Sequence, residues 1–343
     1  MKREANNIGK LFRRSVYLLY YLKETDLRQF NQYLRYSSES TGKTRGHILV
    51  DILRSVYRNN VSLKDYFCFR FFELDQESRS QWAGTGYMYE YHLAMNPRAY
   101  RAVLADKKQF MQHFKAFAKR ASATLSELKA NAKIAEMMLA NSSGRVVLKN
   151  SMGQVGAEVE VVSSSEYNVA TLVSFMIQKK YDLAEEYIIQ HRSLMALSPA
   201  GVNTIRILTQ LHEGNVYFLG ARLRISVNSV VDNLAAGNLA APIDLSSGIV
   251  TGPGVYSDIR KGDRLTHPVT GVEIPGFAVP YWNEVLRVAE NAALHTPHTR
   301  SVGWDIAITD QGPELIEGNH NWCKLLWQLP VKKGLKKELE KFL

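Results

Sequence analysis

Residues 303–321, G-W-D-I-A-I-T-D-Q-G-P-E-L-I-E-G-N-H-N, constrain the fold more than any other part of the chain. Two runs in which apolar residues alternate, 304–309 and 314–319, flank Asp310-Gln311-Gly312-Pro313, so the stretch reads as a β-hairpin. Side chains alternate between the faces of a strand, which puts Glu317 and Asn319 together. Asp305 joins them if the loop holds an odd number of residues, such as 311–313, and Ile306, Ile308 and Ile316 then pack beneath. Two carboxylates and an amide oxygen are hard ligands of the kind that hold Mg²⁺ while leaving positions for water and phosphate. The plainer reading is a solvated hairpin face with acids that share no task.

A second hairpin joins 203–212 to 216–225 around Glu213-Gly214-Asn215. A three-residue loop sets Arg206 opposite Arg222, with Arg224 on the same face and an apolar set on the other. Three arginines on one face repel one another unless anions answer them. Those anions are either acids elsewhere in the chain or a polyphosphate.

At 343 residues the chain exceeds one typical core, so two or three packed subdomains are expected. From residue 8 to about 120 apolar residues recur at helical spacing, with breaks at 37–46, 59–60, 83–86 and 96–97. After Pro97 the spacing predicts one helix whose apolar stripe runs from Val103 through Phe110, Phe114 and Phe117, with Lys107, Lys108 and Lys115 turned to polar surroundings. At 146–149 the pattern becomes β, followed by a small-residue loop, 150–156, and a strand over 157–162. Taken alone, those glycines describe a plain hairpin. The backbone of such a loop also suits phosphate oxygens, and Lys149 stands at its start. The phosphate-binding pattern G-x-x-x-x-G-K-[ST] is absent. A helix over 170–180 leads to 183–191, either a buried strand or a segment that offers its backbone to an adenine edge. Residues 233–254 read as a long ordered loop, 282–294 as a helix, and the chain from 331 as a short, basic, solvated tail.

The formal charge of +10 is uneven: residues 1–150 carry 26 basic and 13 acidic side chains, the remainder 17 and 20. A basic first half calls for an anionic partner. No RNA-binding aromatic motif accompanies it, which disfavours nucleic acid. The apolar run 16–22 is too short for a secretory signal or a membrane span, but with Lys10, Arg13 and Arg14 it would suit a helix lying on an anionic surface. Two cysteines, Cys68 and Cys323, form no disulfide framework and are expected to be buried or idle thiols in a reducing compartment. The location expected is cytoplasmic, at most peripheral to the inner face of the membrane.

Asp106-Lys107 opening a helix, Lys149 ending a strand before a glycine loop, E-E-Y-I-I, N-T-I-R and Asp305…Glu317-x-Asn319, in that order, resemble the ATP-grasp superfamily. G-V-N-T-I-R-I-L-T, V-D-N-L-A-A-G-N-L-A-A-P-I-D and G-W-D-I-A-I-T are similar to the sugar-transfer-associated ATP-grasp proteins, relatives of glutamate ligases. The resemblance implies an α+β fold of two lobes gripping ATP, with an N-terminal helical region over 1–95, lobes over 96–195 and 196–330, and a tail over 331–343. It further implies phosphate contacts from Lys107 and Lys149, a loop through Gly153 and Gly156 closing over them, and adenine held by Glu186 and the backbone near Ile189. Asn203 is placed among the nucleotide-binding residues. Arg206, with Arg222 or Arg224, would touch the γ-phosphate, and Asp305, Glu317 and Asn319 would bind two Mg²⁺. The implied activity is an ATP-dependent, amide-forming ligase that joins an amine to an acidic sugar or glycan precursor, with a sugar kinase as the alternative and, from the basic first half alone, a non-catalytic binding protein for nucleic acid or membrane as the third reading.

Overall fold

The computed structural model describes residues 2–151, 159–229 and 231–343, with side chains from residue 9 onward. Helices Lys2–Lys23, Leu27–Thr41, Arg45–Asn59, Leu63–Cys68, Gln76–Ser80 and Thr85–Met95 form the N-terminal region, and their ends follow local chemistry. Asp26 accepts from the Arg28 and Gln29 amides, Ser62 and Asp65 form a capping box, and Gly42 closes its helix in the left-handed conformation at φ 70°. Their core is aromatic: Tyr33, Tyr66, Phe67, Phe71 and Phe72 are buried together. On the first helix Phe12, Val16, Leu19 and Tyr20 remain exposed. No helix among the described residues is long and apolar enough to cross a membrane.

The single helix expected after Pro97 is broken. Asp106 leaves helical geometry after Ala102–Ala105 and caps a new helix, Lys107–His113, by accepting from the Lys108 and Gln109 amides at 2.8 and 3.2 Å. An aspartate competes for backbone N–H groups, so it starts helices more readily than it continues them.

Two antiparallel sheets follow. The first has strands β1 (Ser122–Thr124), β2 (Arg145–Lys149), β3 (Val159–Ser163) and β4 (Leu183–Glu186), in the order β1-β4-β2-β3. Helices Leu125–Ala130, Ala132–Leu139 and Val169–Lys179 pack against it through Leu128, Met138, Leu172 and Met176. The second has β5 (Ile205–His212), β6 (Asn215–Ile225), β7 (Leu239–Ile243), β8 (Ser301–Thr309) and β9 (Gly312–Asn319), in the order β7-β6-β5-β8-β9. Helix Trp282–His295 covers one face over Ile205, Ile207, Leu223, Ile306 and Ile308. The segment expected as a loop over 233–254 therefore supplies an edge strand, β7, whose apolar residues complete that core.

Both long hairpins reach the expected facing by another route. Their turns hold two residues rather than three, since His212 pairs with Asn215 and Thr309 with Gly312. Glu213 and Gly214 both take positive φ, 49° and 78°, the geometry of a tight hairpin turn. Each ladder then shifts by one residue, between Leu208 and Thr209 and between Asp305 and Ile306. These bulges restore the parity that the shorter turns remove, so Arg206 pairs with Arg222 and Asp305 with Glu317. The cost falls on Ile316: Leu315 enters the core, and Ile316 lines the cleft instead of packing beneath the acids.

The tail is not solvated. Helix Lys336–Glu340 buries Leu339 completely, in a cluster with Met88, Tyr91, Met95, Leu208, Trp322 and Trp327. The helical region, the tail and the second sheet thus share one core.

Candidate active site

A cleft of about 500 Å³ opens between the two sheets. Lys149, at the end of β2, and Glu185, on β4, line it from the first sheet, and Lys107 enters from the first turn of its helix. Arg206, Arg224, Glu317 and Asn319 line it from the second sheet.

On the upper wall the Lys149 ammonium donates to Glu185 at 2.7 Å. Arg120 donates to the same carboxylate at 3.1 Å and, through Nη1, to Glu314 of β9 at 3.1 Å. Glu314 also accepts from the Lys119 and Arg120 amides at 3.1 and 3.2 Å. One buried guanidinium therefore ties the two sheets together beside the cleft. Burial alone would raise the pKa of Glu185, but the charges of Arg120 and Lys149 outweigh it and hold it at about 2. Lys107 donates to the Asn150 carbonyl at 3.0 Å, which seats it beside the segment that follows β2. Gly153 and Gly156 lie outside the described residues.

On the lower wall acids of the chain answer the arginines. Asp305, 2% exposed, accepts from Arg206 through both of its oxygens and from Arg224 Nη1 at 2.6 Å. Arg224 also pairs with Asp232 at 2.7 Å. Burial opposes the charge on Asp305, yet the two guanidinium groups prevail and keep it ionised well below the usual carboxylate range. Glu317 behaves in the opposite way. It lies against Asp305 with its carboxyl open to the cleft, and desolvation, followed by the charge of Asp305, raises its pKa. Asn319 donates to Glu317 at 3.1 Å.

Asp305 and Glu317 pair across β8 and β9, and while two guanidinium groups answer Asp305, Glu317 makes no ion pair among the described residues. That deficit, with the Asn319 oxygen alongside, fits a divalent cation with oxygen ligands. Among the described residues there is no cluster of three or more His, Cys, Asp or Glu side chains placed to hold a metal, so the fit rests on this mixed set.

Several expected residues lie elsewhere. Glu186 turns away from the cleft wall, and its carboxylate accepts from the Ala121 amide at 3.3 Å, while its neighbour Glu185 lines the cleft. Ile189 is exposed and outside the lining. Asn203 is fully buried in a loop network, where it donates to Gln190 and Ser198 at 2.9 Å and accepts from the Ser226 amide. Arg222 donates to the Trp327 carbonyl, and burial lowers its pKa to about 10. It fastens helix Lys324–Gln328 to the sheet. Sequence reasoning missed Arg120, Glu185, Glu314 and Asp232. In A-E-E-Y either glutamate satisfies the pattern, and an isolated arginine before a three-residue strand carries no signal. Cys323, expected to be buried or idle, is exposed on the cleft wall, whereas burial pushes the Cys68 thiol up to about 12.

No curated protein matches the chain. Similar solved structures include the D-alanyl-alanine synthetase A of Vibrio cholerae, at 13% identity and a TM-score of 0.40 over 70% of this chain and 61% of that one. Biotin carboxylase from Campylobacter jejuni matches at 12% identity and 0.44, over 70% and 46%. The L-amino acid ligase of Bacillus licheniformis matches at 13% and 0.38, over 68% and 48%. The chain thus spans less than two thirds of the length of each. The family model described as sugar-transfer associated ATP-grasp matches residues 87–343, from the last helix of the N-terminal region through both sheets to the end of the tail. With an α+β architecture of two sheets around one cleft, the chain belongs to the sugar-transfer associated ATP-grasp family.

Proposed function

We propose that this protein is an ATP-dependent carboxylate–amine ligase that acts in the cytoplasm on an acidic sugar or glycan precursor in polysaccharide biosynthesis. The observation that carries the reading is the facing of Lys107 and Lys149 on one wall by Glu317 and Asn319 on the other, with Asp305 paired to Glu317 across the strands. Cations opposite carboxylates suit a magnesium nucleotide, for which the lysines would hold the phosphates and the acids the metal. Asp305, Glu317 and Asn319 would hold the metal, probed as one or two Mg²⁺, which supplies charge neutralisation at the phosphate oxygens.

The acceptor carboxylate is a poor electrophile because it is anionic and lacks a leaving group. An oxygen of that carboxylate attacks the γ-phosphorus, the bond to the ADP oxygen breaks, and an acyl phosphate forms. The amine lone pair then attacks the acyl carbon, the carbon–oxygen bond breaks, phosphate departs with the electron pair, and the amine loses a proton. The work left to the chain is positioning and charge stabilisation by Lys107, Lys149 and Arg206, with no covalent nucleophile. The family description supports the sugar part of the reading.

The test is ADP release from the purified protein with magnesium and ATP, over uronic acids and acidic saccharides, each with and without pooled amino acids. Turnover that needs both an acid and an amine is expected, and Glu317→Gln should abolish it. Near-normal turnover in that variant would remove the metal assignment. A stable phosphorylated sugar formed without amine would make the protein a kinase.

A further inference from the structure

The cleft continues beyond Glu317 and Asn319. Its far end is walled by His320 and Cys323, by Asn233 and Ser257, and by Lys64 of the helical region. A second cavity of about 290 Å³ begins at the same Lys64, Ala235 and Ser257 and runs between Gln29 and Tyr33 on one side and Tyr256 and Lys261 on the other. The two cavities share part of their walls, and the second is an annex of the first.

Lys64 is held over this junction by a fixed helix. It is the exposed residue of Leu63–Cys68, whose other side chains are buried. Asp65 anchors that helix by accepting from the Thr85 amide and hydroxyl at 2.6 and 2.7 Å and by pairing with Lys324 at 3.0 Å. The Cys68 thiol donates to the Ser257 carbonyl at 3.7 Å, which pins the helix to the opposite wall.

The charges of the annex are unbalanced. Among the described residues its one lining acid, Asp258, is taken by Arg260 through both oxygens, at 2.9 and 2.7 Å. Lys64 and Lys261 make no ion pair among the described residues, and Lys261 lies over the Tyr256 ring at 4.7 Å. With Asp258 held by Arg260 and acting on Lys261 only at longer range, the two lysines along a channel that leads to the reacting centre attract an anionic ligand. Gln29 and Asn233 add amide groups suited to hydroxyls.

We infer that the annex binds the carboxylate acceptor, and that this acceptor is an acidic oligosaccharide rather than a single sugar, selected by Lys64 and Lys261. The inference rests on the proposed ligase reading. One carboxylate reaches the end of the cleft lined by Lys107, Lys149 and Arg206, and the carboxylates of the following residues meet the two lysines of the annex.

The experiment is calorimetric titration of the whole chain with trigalacturonate, galacturonate and maltotriose in the presence of MgADP, after MgADP binding itself has been measured. Trigalacturonate should bind at least tenfold more tightly than either other sugar. Lys64→Glu should weaken it at least tenfold, Lys64→Gln less, and Lys261→Glu several-fold. Maltotriose binding as tightly, unchanged affinity in the Lys64→Glu, Lys261→Glu double variant, or no response to trigalacturonate would overturn the inference. Failure of MgADP itself to bind would instead remove the ligase reading.

Discussion

Glu317 concentrates the chemistry of the site in one titration. Desolvation and the neighbouring Asp305 charge raise its pKa above the unfolded value. Its contribution to stability is therefore present below the ordinary carboxylate range and lost as pH rises through the raised folded pKa. Glu317→Gln keeps the shape and removes the titration. In metal-free buffer at pH 8 the variant should melt above wild type, and the gap should close towards pH 4. Magnesium should close the gap by stabilising wild type alone, and calorimetry that shows the same difference at both pH values would contradict this account. Arg120 plays a different part, answering Glu185 and Glu314 across two sheets while itself almost wholly buried. Removing one partner of a buried pair leaves uncompensated charge, so Arg120→Ala should cost about 3 kcal/mol in urea unfolding. Arg120→Lys should recover only part of that, because one ammonium cannot reproduce the forked contact. A fully stable Arg120→Ala would mean that Lys149 and the backbone amides suffice.

At the scale of elements the two bulged hairpins decide which side chains meet. Turn length alone would set Arg206 and Arg222, and likewise Asp305 and Glu317, out of register, and each bulge corrects this by one residue. Gly220, paired with Leu208 at the bulge, has φ 148°, and a Cβ there would lie 3.1 Å from Arg222 Nη1. Gly220→Ala should therefore destabilise the protein by about 1–2 kcal/mol and disturb the hold of Arg222 on Trp327. Chemical denaturation measures the first effect and near-ultraviolet circular dichroism the second. Wild-type values for both would show that the bulge does not depend on glycine. The alternation of apolar residues revealed both hairpins and their buried faces. The bulges stayed hidden, since an inserted residue such as Ile316 is chemically the same as its neighbours in the core.

The whole molecule is held together by its ends. Gln328 donates to and accepts from the backbone of Ala83 at 3.0 and 2.9 Å, and Leu339 packs among Met88, Tyr91 and Met95. The N-terminal helices should therefore melt with the second sheet in a single transition, and a chain beginning at residue 96 should lack cooperative unfolding by calorimetry. Two separated transitions in the full chain, or a cooperatively folding truncation, would contradict this. The sequence by itself determined the helical region, the two hairpins and the strand residues Lys149, Arg206, Arg224, Glu317 and Asn319 that line the cleft, and the family resemblance added Lys107. It could do so because periodicity and turn chemistry are local, and because polar residues inside strands have few structural reasons to be there. Only the tertiary structure decided that Glu185 and not Glu186 faces the cleft, that Arg222 and Asn203 serve packing, and that Lys64 closes the far end. Those roles depend on which distant groups arrive to answer a charge or share a buried hydrogen bond, and burial and long-range pairing leave no period in the sequence.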